Sequence, residues 1–212
     1  MKPAIDYTLY LVTDRELMST STLAEAVDEA CDGGVTLVQL REKHVTDDEY
    51  IAIAREAKAV CDAHGVPLII NDNPNVAVAV GAAGVHVGQE DLEASRVRDI
   101  VGPDAIVGVS AASVAEVLAA QAAGADYLGV GAIVATATKP EAGVVTRDEL
   151  AAIIDAVDIP VVAIGGVNAD TIPTLQGLGL AGYSIVSAII AADDVEASAR
   201  ELRGLIDAGK RA

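Results

Sequence analysis

The sequence predicts an α/β chain folded as a single-domain (β/α)8 barrel, a TIM barrel, over residues 1–212. Three observations carry this prediction. Eight short runs of β-branched and aliphatic residues alternate with eight stretches whose apolar residues recur at helical spacing. No charge block or low-complexity linker interrupts the alternation, and the length suits one α/β barrel. No GxGxxG follows the first strand, which disfavours the alternative of an open, doubly wound sheet.

The units follow in order. Thr8–Asp14 (TLYLVTD) reads as a strand ending in a carboxylate, and Ser21–Gly33 as a helix with Ser21 or Thr22 as its cap. Val35–Arg41 is the second strand. Thr46–His64 is a helix opened by Thr46 and Glu49 at capping-box spacing and closed by Gly65. Pro67–Asp72 and Pro74–Val80 make the third unit, Gly84–Gly88 and Glu93–Val101 the fourth, Ile106–Ser110 and Ser113–Ala123 the fifth. Tyr127–Ala132 is followed by a helix over Thr146–Val157, with Glu149 again at capping-box distance. Pro160–Gly166 and Asp170–Leu178 form the seventh unit, Gly182–Ile189 and Val195–Ala208 the last.

Composition narrows the function classes. Hydrophobic residues are 52% of the chain but aromatic ones only 2%, with no Phe or Trp, so the core must be built from Val, Ile, Leu and Ala. Cys31 and Cys61 make no disulfide framework and match no metal motif; both read as buried, inert thiols in helices, in a reducing compartment. No apolar run is long enough to span a bilayer, and Met1-Lys2-Pro3 does not begin a signal peptide, so the expected location is the cytoplasm. A formal charge of −18, from 32 acidic against 14 basic residues, argues against nucleic acid or anionic membranes as partners. The acidic excess with few Lys and small core residues resembles a halophilic protein, in which salt screens self-repulsion. A homo-oligomer is left open.

A barrel carries its active site at the C-terminal ends of its strands, and here those ends are polar. Leu68-Ile69-Ile70 runs into Asn71-Asp72, and Val85-His86-Val87 runs into Gln89-Glu90-Asp91. Neighbouring strands lie about 4.8 Å apart, which lets Asp72 and Asp91 share one cation. Carboxylates without His or Cys suit magnesium, whose coordination phosphate oxygens and water usually complete. The alternative is that both Asp residues cap helices. In the second strand, Val35, Leu37, Gln39, Arg41 and Lys43 fall on one face at period two, apolar below and amide and cationic above. That arrangement fits an anion site, with Lys43 alone also explicable as loop. Thr136, Ala137, Thr138 and Lys139 lie after strand six, where hydroxyls and an ammonium can bind phosphate. Gly165-Gly166 and Val186-Ser187 end strands seven and eight, where barrels often hold a phosphate; a tight turn needing positive φ is the alternative for the glycines. His86 reads as an inward-facing, hydrogen-bonded core histidine, with a catalytic role as the alternative, and His44 and His64 as surface or helix-end residues. No catalytic triad is present in the pattern. The constellation describes metal-assisted joining or splitting of two phosphorylated small molecules.

Taken together, YLVTD (Tyr10–Asp14), GGVTLVQLREK (Gly33–Lys43), IIND (Ile69–Asp72), GVHVGQEDL (Gly84–Leu92), GVS (Gly108–Ser110), GADYLGVGAI (Gly124–Ile133), TATKP (Thr136–Pro140), AIGGV (Ala163–Val167) and SIVSAI (Ser184–Ile189) resemble the thiamine-phosphate synthase family over nearly the whole chain. That family joins aminopyrimidine-methyl diphosphate to a carboxylated or plain hydroxyethylthiazole phosphate, giving thiamine monophosphate and pyrophosphate. The resemblance implies that Asp72 and Asp91 are the magnesium ligands. It places Gln39, Leu40, Arg41, Glu42, Lys43, Asn71, Ser110 and Lys139 in the pyrimidine-diphosphate site, with Arg41, Lys43, Ser110 and Lys139 as the catalytic groups. Thr136, Ala137, Thr138, Gly166, Val186 and Ser187 fall in the thiazole-phosphate site. The implied mechanism is dissociative: the diphosphate departs first, and the thiazole nitrogen captures the pyrimidine methylene cation. One departure is that Ala132, Val134 and Ala135 stand where the family usually has an aromatic residue and prolines. Two rivals remain, a thiazole tautomerase of the same barrel family and a non-catalytic thiamine-phosphate-binding protein.

Overall fold

A computed structural model describes residues 2–134 and 144–210. Its strands are β1 (Leu9–Val12), β2 (Leu37–Leu40), β3 (Leu68–Asn71), β4 (Gly84–Val87), β5 (Ile106–Ala111), β6 (Tyr127–Val130), β7 (Val161–Ile164) and β8 (Gly182–Ile185). Each pairs in parallel with its neighbours in sequence, and β1 pairs with β8, so the sheet closes into a barrel. The helices are α1 (Leu23–Asp32), α2 (Asp47–His64), α3 (Pro74–Val80), α4 (Ala94–Val101), α5 (Val114–Ala122), α6 (Arg147–Asp155), α7 (Ile172–Leu175), α8 (Ser187–Ile190) and α9 (Val195–Gly209). Among the described residues no helix is long and apolar enough to cross a membrane.

Period-two alternation divides the strands' apolar residues between two cores. Tyr10, Val12, Leu37, Ile69, Ile106, Tyr127 and Val162 fill the barrel interior, while Leu9, Leu11, Val38, Leu40, Ile70, Val85, Val107 and Leu128 pack outward against the helices. With so few aromatic residues in the chain, two of its tyrosines lie fully buried inside the barrel, and glycines make the room. A Cβ on Gly108 would sit 2.2 Å from Tyr127 Cζ, and one on Gly129 would sit 3.1 Å from His86 Cε1. Cys31 and Cys61 are free and buried in the outer core, and burial pushes each thiol up to about 12.

Helix starts follow the expected chemistry. Thr22 caps α1 by accepting from the Glu25 N–H, and complete capping boxes join Thr46 with Glu49 and Thr146 with Glu149. Three expectations need correction. The eighth strand stops at Ile185, and Ser187–Ile190 is a short helix rather than a continuation of it, because Val186 leaves the extended region at φ −112°, ψ −92°. The helix expected over Asp170–Leu178 is only Ile172–Leu175; Pro173 sits in its first turn, and Gly177 and Gly179 adopt positive φ just beyond it. Val35 packs in the outer core instead of the barrel interior, because the chain emerges from the Gly34 turn at φ +101° and the strand begins only at Leu37.

Candidate active site at the barrel mouth

β3 delivers Asn71, buried, and then Asp72, whose φ of +63° is a left-handed conformation that costs a non-glycine residue energy. Its N–H donates to the His86 carbonyl at 2.8 Å, which ties the β3 tip to β4. The loop after β4 brings Asp91 back so that one carboxylate oxygen accepts from the Gly88 N–H at 2.7 Å. The Asp91 carboxyl stands above its ordinary range. Desolvation is the main cause and the neighbouring Asp72 carboxylate adds to it, while the Gly88 N–H and the Lys43 charge pull the other way.

Neither aspartate caps a helix. Asn73 caps α3 by accepting from the Asn75 and Val76 N–H groups, and Glu93 occupies the cap position of α4 without a side-chain bond. The helix-cap alternative therefore fails for both residues, and the pair is left as two adjacent carboxylates at the mouth. Among the described residues no group of three or more His, Cys, Asp or Glu side chains comes together in metal-binding fashion.

The cations of the second unit each rest on a carboxylate. Lys43 Nζ lies 2.6 Å from Asp72 Oδ2, and Arg41 Nη1 lies 3.3 Å from Asp14 Oδ2. Arg41 is also anchored through its own N–H, which donates to Thr13 Oγ1 at 3.0 Å. Glu42 is nearly enclosed and accepts from Arg15 at 2.6–2.8 Å, while its Oε1 is buried with no partner. Burial raises the Glu42 carboxyl, and Arg15 opposes that shift. Leu40 turns its side chain into the outer core, and its carbonyl accepts from the Tyr50 hydroxyl at 2.7 Å. The same hydroxyl shares its one hydrogen with the Asn71 carbonyl at 3.1 Å, so Tyr50 ties the ends of β2 and β3 together.

Below this rim a polar chain crosses the barrel interior. Gln39 Nε2 donates to Tyr10 Oη at 2.5 Å, Tyr10 and Tyr127 share a 2.7 Å hydroxyl contact, Tyr127 Oη meets His86 Nδ1 at 2.9 Å, and His86 Nε2 meets Ser110 Oγ at 2.8 Å. His86 is thus a hydrogen-bonded core histidine, as its position implies. Burial holds both phenols above their ordinary range, so they remain neutral hydroxyls. Sequence reasoning missed Tyr10, Tyr50 and Tyr127. For Tyr10 and Tyr127 the usable signal was a tyrosine at inward parity in a strand; Tyr50, on α2, offered no such signal.

On the opposite side, Gly165 and Gly166 adopt φ of +85° and +76°. The loop after β6 closes on this turn, with Ile133 and Val134 N–H groups donating to the Gly165 carbonyl at 2.9 and 3.0 Å. A Cβ on Gly166 would lie 2.6 Å from that of Val134, and one on Gly165 would lie 2.8 Å from that of Ala132, so the glycine pair leaves room for the loop after β6. Val186 is half-buried and Ser187 exposed at the end of the adjacent strand. Thr136, Ala137, Thr138 and Lys139, and with them Ala135, lie outside the described residues.

The layout is that of a barrel enzyme whose chemistry occupies the C-terminal ends of its strands. A family profile described as thiamine monophosphate synthase matches residues 9–189. The thiamine-phosphate synthase of Clostridium beijerinckii is 52% identical over 203 residues, covering 96% of this chain and 97% of that protein. That of Ruminiclostridium cellulolyticum is 53% identical, covering 95% and 96%. Among solved structures, thiamine phosphate pyrophosphorylase from Pyrococcus furiosus superposes with a TM-score of 0.89 at 34% identity, covering 96% of this chain and 97% of its own. The chain belongs to the thiamine monophosphate synthase family, a family of transferases.

Proposed function

We propose that the barrel mouth condenses aminopyrimidine-methyl diphosphate with a hydroxyethylthiazole phosphate, carboxylated or plain, to thiamine monophosphate and pyrophosphate. The observation that carries this reading is the acidic pair. Asp72 and Asp91 put two carboxylates side by side in no capping role, one on a strained backbone, with the Lys43 ammonium against them. An all-oxygen donor set of two carboxylates fits magnesium, and the Asp91 carboxyl, raised mainly by desolvation and further by Asp72, is one whose charged form a divalent cation would favour. Asp72 and Asp91 would hold the ion, which supplies neutralising charge for diphosphate oxygens.

The chain's own residues account for the rest. Arg41 offers a planar two-point fork and Lys43 a mobile point charge to the oxygens on which charge grows as the diphosphate departs. Both are positioned by carboxylates, Asp14 and Asp72, that a phosphate oxygen can replace. Lys139 is assigned to the same group of charges on the strength of the family resemblance. Gln39, Asn71 and Ser110 bind and orient the pyrimidine, and the backbone at Leu40 and the enclosed Glu42 hold the turn that presents Arg41 and Lys43. Gly166, Val186 and Ser187, with Thr136, Ala137 and Thr138, receive the thiazole phosphate across the mouth. Substitution at the methylene carbon needs orientation and charge stabilisation rather than a general base, which agrees with a site built from cations and amides.

Asp72→Asn and Asp91→Asn test the acidic pair. Each keeps side-chain size and removes one negative charge. Each is expected to weaken magnesium activation at least 10- to 100-fold, with partial rescue by excess magnesium. Near-wild-type turnover with unshifted magnesium dependence in both variants contradicts the assignment.

A further inference from the structure

We propose that Tyr10, Tyr127 and His86 are positioning residues: they form a hydrogen-bonded chain that fixes, together, the donor or acceptor character of Gln39 at one end and of Ser110 at the other. The polarity follows from counting hydrogens. Tyr10 and Tyr127 are buried to within 1% of complete, so each phenol must donate its single hydrogen to a neighbour. Gln39 Nε2 donates to Tyr10 Oη, which leaves Tyr10 to donate to Tyr127 Oη. Tyr127 has accepted that bond and therefore donates to His86 Nδ1. An Nδ1 that accepts carries no hydrogen, so the imidazole proton is on Nε2 and points to Ser110 Oγ. Ser110 accepts there and keeps its own O–H to give to a ligand.

A second polarity is equally complete, with every bond reversed. Gln39 would then turn its carbonyl to Tyr10, His86 would carry its proton on Nδ1, and Ser110 would spend its hydrogen on Nε2. The chain thus has two states, and the orientation of one amide selects between them. In the state seen, Gln39 keeps its carbonyl oxygen for a ligand donor and Ser110 keeps its hydroxyl hydrogen for a ligand acceptor. An aminopyrimidine diphosphate supplies both complements, an amino N–H and ring-nitrogen or phosphate acceptors; this part of the inference rests on the function proposed above. A ligand with the opposite pattern would meet two mismatched ends at once, because neither end can reverse alone. The glycines support the same view. Gly108 and Gly129 give up side chains where Tyr127 and His86 lie, so the rings have defined seats.

The test uses the tautomer of His86, read by long-range proton–nitrogen correlation on the intact protein with nitrogen-labelled histidine. The signal is assigned by its loss in His86→Gln. In wild type, His86 is expected as a single tautomer protonated at Nε2. Gln39→Glu leaves every atom bonded to His86 in place but sets an ionised carboxylate, which can only accept, against Tyr10 Oη, and so reverses every bond of the chain. His86 should then be protonated at Nδ1, with Ser110 giving its hydrogen to Nε2. The Michaelis constant for the pyrimidine diphosphate should rise about tenfold, the factor carried by one buried hydrogen bond, while that for the thiazole phosphate stays level. A wild-type His86 protonated at Nδ1, or a Gln39→Glu protein that retains Nε2 protonation alone, overturns the proposal. If the wild-type protein makes no thiamine monophosphate, the functional reading fails by itself and the tautomer measurements still decide the chain's polarity.

Discussion

Asp91 carries a cost that its neighbours only partly offset. Its carboxyl is raised by desolvation and then by Asp72, so the folded state binds its proton more tightly than the unfolded chain does. By linkage, ionising such a group costs stability above its folded pKa, and the cost disappears as pH falls below the unfolded value, near 3.8. In magnesium-free buffer at about pH 7.5, Asp91→Asn is therefore expected to be as stable as wild type or more so, with any advantage vanishing near pH 4. The Asn oxygen still accepts from the Gly88 N–H. Denaturant unfolding at both pH values checks this, and destabilisation beyond about 1 kcal/mol at the higher pH contradicts it. That Asp72, Asp91, Arg41 and Lys43 would lie at the barrel mouth was legible in the sequence because each falls in the polar stretch that ends an apolar run, and a barrel brings such positions to one face. Tyr10 and Tyr127 were not, because period two assigns a side chain to the interior without naming its partner. Their hydroxyls meet across the barrel, from strands 117 residues apart, and only closure of the sheet shows it.

At the scale of elements, β5 and β6 depend on a trade of volume. Gly108 on β5 is empty where the Tyr127 ring of β6 lies, with an added Cβ falling 2.2 Å from Cζ and 2.5 Å from Oη. Gly108→Ala must push the ring aside and disturb its bonds to Tyr10 and His86. We expect a loss of about 1–3 kcal/mol from overpacking, measured as a lowered unfolding midpoint. An unchanged midpoint would show that the interior is looser than this packing requires. The eight alternating units and the three Thr caps could be read from periodicity and local chemistry. The ends of elements could not. Ile185-Val186 is a β-branched pair that favours extension, yet the barrel needs only Gly182–Ile185 for pairing, and the chain then turns into α8. In the seventh unit, apolar spacing suggested a longer helix than Pro173 and the positive-φ glycines allow.

For the molecule as a whole, the charge of −18 sets the solution behaviour. Self-repulsion among unpaired carboxylates opposes the compact state, and the screening length falls to about 3 Å at 1 M salt. The unfolding midpoint is expected to rise between about 0.1 M and 2 M KCl, while attraction of anionic substrates to Arg41 and Lys43 weakens and their Michaelis constants rise. A midpoint that is flat or falling over that range contradicts the electrostatic account. The central claim is that this barrel mouth exchanges pyrophosphate for a carbon–nitrogen bond between two phosphorylated heterocycles. Its most direct test is to incubate the protein with aminopyrimidine-methyl diphosphate, hydroxyethylthiazole phosphate and magnesium, and to follow both products in the same sample. The account predicts pyrophosphate and thiamine monophosphate appearing in equal amounts and at equal rates, each requiring both substrates. Isomerised thiazole phosphate alone, or binding of both substrates without release of pyrophosphate, would contradict it.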